Sequence, residues 1–189
     1  MTIRALVSLF AAVLLCGCVP EGRDINDNPN AGTVEDQYRA LAQRPDIEQA
    51  TEQWSQLLQE VRDLLSEEYG LPEWQFREGN RISRAGCGFD FPDISGDGEA
   101  RNIRGGYSEA PIPAGSWDEA VTKVGEIAKR YGFTGVLRIA DKGNYHEVEF
   151  SDPNGTRLNF GAQVNTSLSL GSGCYLTAEA KRRDAPEPQ

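Results

Sequence analysis

The chain is poor in the residues that most protein chemistry uses. It has one histidine, one methionine and four cysteines among 189 residues. Its longest largely apolar run, Ala5 to Leu15, covers eleven residues. A membrane-spanning helix needs roughly 20, so no span is expected. Two distant cysteines and His146 cannot supply the four closely spaced ligands of a zinc site. Positive charge is scarce as well. With 19 basic against 29 acidic residues the formal net charge is −10, which repels nucleic acid and anionic headgroups. A phosphate loop is also missing. Gly171-Ser172-Gly173 lies between strand patterns and lacks the later glycine and the lysine of that motif, so it reads as a hairpin turn.

The first eighteen residues carry the clearest signal. Arg4 precedes the apolar run, and Leu15-Cys16-Gly17-Cys18 follows it. A basic start, a short apolar core and small residues at the cut make a secretory signal. Leu-x-Gly-Cys resembles the lipobox of bacterial lipoproteins. Residues 1–17 are therefore expected to be removed and Cys18 to be lipidated, because a cut before Cys16 would place Leu15 where a small residue is wanted. Two acyl chains anchor stably where one does not, at about 0.8 kcal/mol per buried CH₂. The expected location is the cell membrane, lipid-anchored on its extracytoplasmic side.

Cleavage removes only one charge, Arg4, and leaves a mature chain at −11. Cys87 and Cys174 remain. In an exported protein such a pair reads as a disulfide, closing a loop of about 88 residues worth roughly 4–5 kcal/mol in the chain-entropy model.

Residues 18–32 hold the lipidated cysteine and a stretch rich in Asn, Asp, Gly and Pro, which reads as a flexible linker. Its 14 residues from Val19 would hold the body roughly 20 Å from the anchor. Residues 33–180 read as a single α+β domain, and 181–189 as a disordered tail. Thr33 starts a short helix to about Gln43, with an acidic third position. Ile47, Ala50, Trp54, Leu57, Val61 and Leu64 follow helical steps up to Tyr69-Gly70. Trp117, Ala120, Val121, Val124, Ile127, Ala128 and Tyr131 line a second amphipathic helix, opened by Gly115 or Ser116 and ended by Gly132. Strands are expected at Trp74–Phe76, Cys87–Phe91, Asn102–Ser108, Gly135–Ala140, Tyr145–Ser151 and Arg157–Val164. Two more follow, through Leu168 and Leu170 and through Cys174, Leu176 and Ala178. The expected architecture is an antiparallel sheet of about five or six strands. Two or three amphipathic helices pack on one of its faces, and one disulfide closes the domain.

In this order the pieces resemble the LppA-like lipoproteins of mycobacteria and related actinobacteria. The resemblance rests on the lipobox at Cys18, the long polar helix, Trp74 ahead of Cys87, the helix from Trp117-Asp118-Glu119-Ala120 to Tyr131-Gly132, the hairpins, and Gly173-Cys174-Tyr175-Leu176. It implies an α+β fold with one disulfide, and export and anchoring rather than a defined chemistry. The residues it carries over are Cys18 and the pair Cys87 and Cys174.

Four further features are weighed for chemistry. Asp93-Ile94-Ser95-Gly96-Asp97-Gly98-Glu99 has alternating oxygen ligands that suit Ca²⁺. The twelfth position is Arg104 where an EF-hand needs Glu, so a surface turn is the better reading. His146 falls on an apolar strand face and reads as packed rather than as a general base. Glu147 and Glu149 share a strand face about 7 Å apart, a separation that suits glycosidase carboxylates and equally suits a solvated sheet face. Trp54, Trp74 and Trp117 read as core. No catalytic residue, metal or cofactor is assigned. The functional expectation is a binding or interaction module of the cell envelope, with another envelope protein, a lipid or a glycan as candidate partner. The alternative is an envelope enzyme acting on cell-wall polymers.

Overall fold

Helix α1 spans Val34–Ala42, and Thr33 caps it in a reciprocal box with Asp36. Helix α2, Ile47–Tyr69, starts at Asp46, whose carboxylate accepts from the Gln49 N–H at 2.8 Å. It stops at Gly70, which adopts the left-handed conformation (φ 65°) open to a residue without Cβ. Helix α3 is Trp117–Arg130. Ser116 is its first flanking residue but makes no side-chain cap; the acidic Asp118 and Glu119 of the first turn complement the dipole. The computed structural model describes residues 28, 30–94, 96–113 and 115–183. The expected signal segment, Cys18 and most of the linker lie outside the described residues, as do 184–189.

The strands are β1 (Ile82–Gly86), β2 (Gly98–Ser108), β3 (Gly135–Lys142), β4 (Tyr145–Ser151), β5 (Arg157–Ala162), β6 (Thr166–Gly171) and the two-residue β7 (Tyr175–Leu176). They form one antiparallel sheet in the order β1-β2-β6-β5-β4-β3, with β7 paired to the start of β2. The α+β architecture is thus as expected, with seven strands. Helices α2 and α3 cover one face. Leu57, Leu58, Val61 and Leu65 of α2 and Val124, Ile127 and Ala128 of α3 share a buried cluster with Ile103, Val148, Phe150, Leu158, Phe160, Leu168 and Leu170 of the sheet. Each such side chain stabilises the fold by about 1.5–3 kcal/mol. Trp54 and Trp117 are buried in this core, and Trp74 packs against it while its indole N–H donates to Ser66 Oγ at 3.1 Å. A smaller cluster of Leu41, Ile94, Cys174, Leu176 and Ala180 lies beside α1. The disulfide Cys87–Cys174 joins it to the sheet.

Several elements differ from expectation. Cys87–Phe91 is not a strand: Gly88 has φ 61° and Gly88–Asp90 form a 3₁₀ turn. The strand lies just before it, at Ile82–Gly86, an edge strand whose polar sequence ISRAG shows no apolar alternation. Trp74–Phe76 contributes a single bridge, Gln75 with Tyr107, because the chain turns away at Gly79 (φ 98°). Strand β2 begins four residues earlier than expected, at Gly98, where it meets β7. Strand β5 ends at Ala162, and Val164 is 72% exposed in the turn that follows. Ala178 does not close the sheet. It opens a terminal helix α4, Ala178–Arg183, so the ordered domain runs past residue 180 and into the segment expected as tail. Three bonds tie that helix to distant parts of the fold: the Ala178 N–H donates to Glu48 Oε2 at 2.9 Å, Lys181 Nζ donates to the Arg44 carbonyl, and Arg183 pairs with Asp97.

The close approach of α2 to β2 depends on Gly105. Register between β2 and β6 shifts from Arg104 to Gly106, leaving Gly105 as a bulge residue. A Cβ at Gly105 would stand 2.8 Å from Leu168 Cβ and 2.9 Å from Leu58 Cδ2. Its carbonyl accepts from the buried Arg62 at 2.8 Å. Gly105→Ala is expected to cost about 1–3 kcal/mol by overpacking, read as an earlier urea midpoint at unchanged m-value. An unchanged midpoint would show that α2 is not seated on this residue.

Candidate functional site

Strand periodicity sends alternate side chains to opposite sheet faces. In β5, Leu158 and Phe160 face the helices, which turns Arg157 and Asn159 to the open side. Strand β6 does the same with Leu168 and Leu170 against Ser169, and β4 with Val148 and Phe150 against Glu149. Register then assembles rows. Arg104 stands opposite Ser169, Ser169 opposite Asn159, and Asn159 opposite Glu149. In the next row Ser83 faces Asn102, Asn102 faces Gly171, and Gly171 faces Arg157. Strands lie about 4.8 Å apart, so each four-strand row spans about 14 Å.

These rows floor a groove of about 730 Å³. One end is walled by Asp90 and Phe91 of the 3₁₀ turn, by Pro153-Asn154-Gly155 of the β4–β5 hairpin and by Ser172-Gly173-Cys174. Arg44 ties the wall together. Its guanidinium donates to the Cys174 carbonyl at 2.6 Å and the Asn154 carbonyl at 3.2 Å, and lies 5.2 Å from the Phe91 ring centroid. Burial holds the Arg44 pKa below its ordinary value, while Tyr175, Asp152 and Asp90 oppose the shift. The disulfide links the two wall segments covalently. The wall is therefore built from parts more than 40 residues apart in sequence on either side (Arg44, Asp90, Asn154) and held by one side chain and one bridge.

The floor is chemically unusual in one respect. Among the described residues, Ser83, Asn102, Glu149, Arg157, Asn159 and Ser169 offer side-chain donors and acceptors that have no side-chain hydrogen bond or ion pair within the protein. Some surface charges elsewhere are engaged, as Arg130 is with Glu60, Arg138 with Asp118 at 2.6 Å and Lys123 with Glu119 at 2.8 Å, while exposed Arg77, Lys129 and Lys142 have no ion-pair partner among the described residues but lie scattered rather than in one concavity. Even the buried Arg101 is met by Glu99 and by Thr51 Oγ1 at 2.7 Å.

The candidates from sequence fall in different places. His146 is on the helix-covered side. It stacks on Trp117 at 5.2 Å between centroids and its Nδ1 is 2.7 Å from Asp141 Oδ1. Glu149 is on the groove side, and Glu147 accepts from the Tyr145 hydroxyl. The sheet separates the histidine from the groove carboxylate. In the Asp93–Glu99 segment the carboxylates are taken up by protein donors: Asp93 by Gln37 Nε2 at 2.7 Å, Asp97 by Tyr38 and Arg183, Glu99 by Arg101. Hydrogen bonds to Tyr38 and Arg183 hold the Asp97 carboxyl below its usual pKa. No group of three or more metal-ligating side chains occurs among the described residues. Cys87 and Cys174 are brought together as the expected disulfide. Sequence reading missed Asn102, Arg104, Arg157, Asn159 and Ser169. Their signal was present as polar residues alternating with the apolar core positions, but only register shows that they share one surface.

The chain is a disulfide-closed α+β domain with its helices on one sheet face, and the family it matches is one of lipoproteins. The chain belongs to the LppA family, described as a lipoprotein confined to pathogenic Mycobacterium, whose model matches residues 22–178. It is similar to the lipoprotein LprP of Mycobacterium bovis, 27% identical over 99% of this chain and 86% of the relative. Its fold matches the crystal structure of the lipoprotein LppA from Mycobacterium tuberculosis (TM-score 0.59, 17% identity), covering 82% of this chain and 90% of the other. A DUF4853 family protein from Actinomyces odontolyticus matches with a TM-score of 0.50 at 17% identity, over 71% of each chain. None of these carries an enzymatic name.

Proposed function

We propose that this is a tethered binding module, anchored through lipid on Cys18 at the extracytoplasmic side of the membrane, whose open sheet face binds a glycan of the envelope. One observation carries the reading: the groove floor gathers side-chain amides, hydroxyls and charges, of which Ser83, Asn102, Glu149, Arg157, Asn159 and Ser169 have no side-chain hydrogen bond or ion pair among the described residues. Amide, hydroxyl and carboxylate groups together match the mixed donors and acceptors of sugar hydroxyls. The volume falls within the range of about 300–1,000 Å³ typical of ligand sites, and Phe91 adds an apolar edge at the wall. The core between sheet and helices is filled by buried side chains, so a ligand would bind at the surface rather than between the layers. Catalysis is not part of this reading, since His146 and Glu149 lie on opposite faces of the sheet.

The test is titration calorimetry of the mature chain against a panel of wall oligosaccharides. Asn102→Ala with Asn159→Ala is expected to weaken the best binder about tenfold, since each lost hydrogen bond is worth about 0.5–1.5 kcal/mol. Affinity unchanged in the double variant would remove the groove from consideration.

A further inference from the structure

The groove differs in charge from the chain that carries it. The protein as a whole is at −10, whereas the groove presents Arg44, Arg104 and Arg157 against Asp90 and Glu149. None of the three guanidiniums reaches a carboxylate among the described residues. Arg44 donates to carbonyls, and Arg104 makes one long contact, 3.5 Å, with the Glu78 carbonyl. Arg157 is exposed and has no hydrogen-bond or ion-pair partner among them. Arg101, Lys123, Arg130, Arg138 and Arg183 find an acid, whereas Arg77, Lys129 and Lys142 do not among the described residues and are not part of the groove, so it is convergence on one concavity that sets the groove's cations apart. In so acidic a chain, cations that converge unpaired on one concavity mark a place where charge is to come from outside.

Position narrows the ligand further. Arg104 and Arg157 are two strands apart across the sheet and one residue pair apart along it. Those steps of about 4.8 Å and 6.8 Å put them about 12 Å from each other. Between them lie Asn102, Ser169 and Gly171. Gly171 keeps the floor open, since a Cβ there would stand 3.0 Å from Asn102 Oδ1. A neutral sugar could accept from the guanidiniums at its hydroxyls but would leave their charge uncompensated. A bare anion would use one guanidinium and leave the amides idle. An acidic peptide would pair the cations and could offer backbone groups to Asn102, Ser169 and Asn159, which makes it the competitor to be tested directly.

Resting on the glycan reading above, we infer that the groove binds an acidic saccharide, whose carboxylate or phosphate groups pair with Arg104 and Arg157 while its hydroxyls engage the amide and hydroxyl floor between them. Guanidinium is the side chain best shaped for either anion, because its forked N–H groups match two oxygens at once.

The experiment uses the full mature chain with Cys18→Ser, which leaves the described domain unchanged. Four probes are titrated at low salt: trigalacturonate, mannose 6-phosphate, neutral chitotriose and tetraglutamate. One of the two acidic sugars is expected to bind at least about tenfold tighter than chitotriose and tetraglutamate, and which one it is separates carboxylate from phosphate as the anion. Arg157→Gln and Arg104→Gln are each expected to weaken that probe about tenfold, the loss of a charge-assisted pair. Arg157→Gln should leave the melting temperature unchanged, because no described residue bonds its guanidinium, and Arg104→Gln should shift it little, because it loses one exposed 3.5 Å contact with the Glu78 carbonyl. Chitotriose binding as tightly as both acidic sugars, or acidic-sugar affinity unchanged in both Arg variants, would overturn the acidic assignment and leave the glycan reading standing. Tetraglutamate binding tightest would overturn the saccharide. No binding by any probe at millimolar concentration would overturn both.

Discussion

Replacing Cys87 and Cys174 together by alanine is expected to lower the unfolding free energy by about 4 kcal/mol. The two cysteines are 87 residues apart in sequence and bonded in the fold. Cross-links that close long loops restrict the unfolded chain most. Native structure adds to this. Cys174 is buried among Leu41, Ile94, Leu176 and Ala180, a satellite cluster with few apolar members of its own. Without the bridge, the 3₁₀ turn at Gly88–Asp90 keeps this small cluster and the Arg44 contact with Phe91, while strand β7 also keeps its pairing with β2 and the packing of Tyr175 on Trp54. For a domain of this size the loss corresponds to a melting temperature lower by about 10 °C. Reducing the wild-type protein with dithiothreitol should reproduce the shift without any substitution. Oxidised and reduced proteins melting together would show that the bridge is not a stabilising element. Because Cys174 and its neighbours wall the groove, the reduced protein is also expected to bind its ligand more weakly at temperatures where it remains folded.

Cys18→Ser is expected to move the protein from the membrane fraction to the soluble fraction. No helix among the described residues is long and apolar enough to cross a bilayer, and the mature chain carries 18 basic against 29 acidic residues. An acidic body is repelled by anionic headgroups, so attachment depends on the acyl chains, each CH₂ contributing about 0.8 kcal/mol. Detergent phase partitioning followed by immunoblotting measures it: the wild type enters the detergent phase and the variant stays in the aqueous phase. A variant that still partitions with detergent would mean that the leader is retained as an uncleaved anchor, or that another surface holds the membrane. The family is one of lipoproteins, which supports the anchored reading without identifying the anchoring residue.

Much of the scaffold was legible along the chain. The stripe Ile47, Ala50, Trp54, Leu57, Val61 repeats at helical steps, and the helix runs to the glycine that stops it. Val148 and Phe150, Leu158 and Phe160, Leu168 and Leu170 alternate, and each pair sits in a strand with its apolar face to the core. These elements bury a face, and burying a face requires a period. Strand β1 was not legible, because only Ile82 of its five residues packs against the core and the other four are exposed, which leaves no apolar period. Ser83, Arg84 and Ala85 look like loop. Helix α4 was hidden by the charge of Lys181, Arg182 and Arg183, although Ala180 is fully buried and Lys181 and Arg183 are bonded to Arg44 and Asp97.

What the sequence determined by itself is local or compositional: the acidic balance, two amphipathic helices, the central strands and the Cys87 and Cys174 pair, with the leader and its lipobox as an expectation. The groove was decided only by tertiary structure. Its floor draws on residues from Ser83 to Gly171 and its wall on Arg44, Phe91 and Asn154. Each is an ordinary polar residue on the wet side of its own strand or turn. What makes them a site is strand register, a one-residue slip of which would turn every side chain of that strand to the other face. Register is set by long-range packing of the apolar face beneath, so no reading along the chain could place Arg104, Ser169, Asn159 and Glu149 side by side.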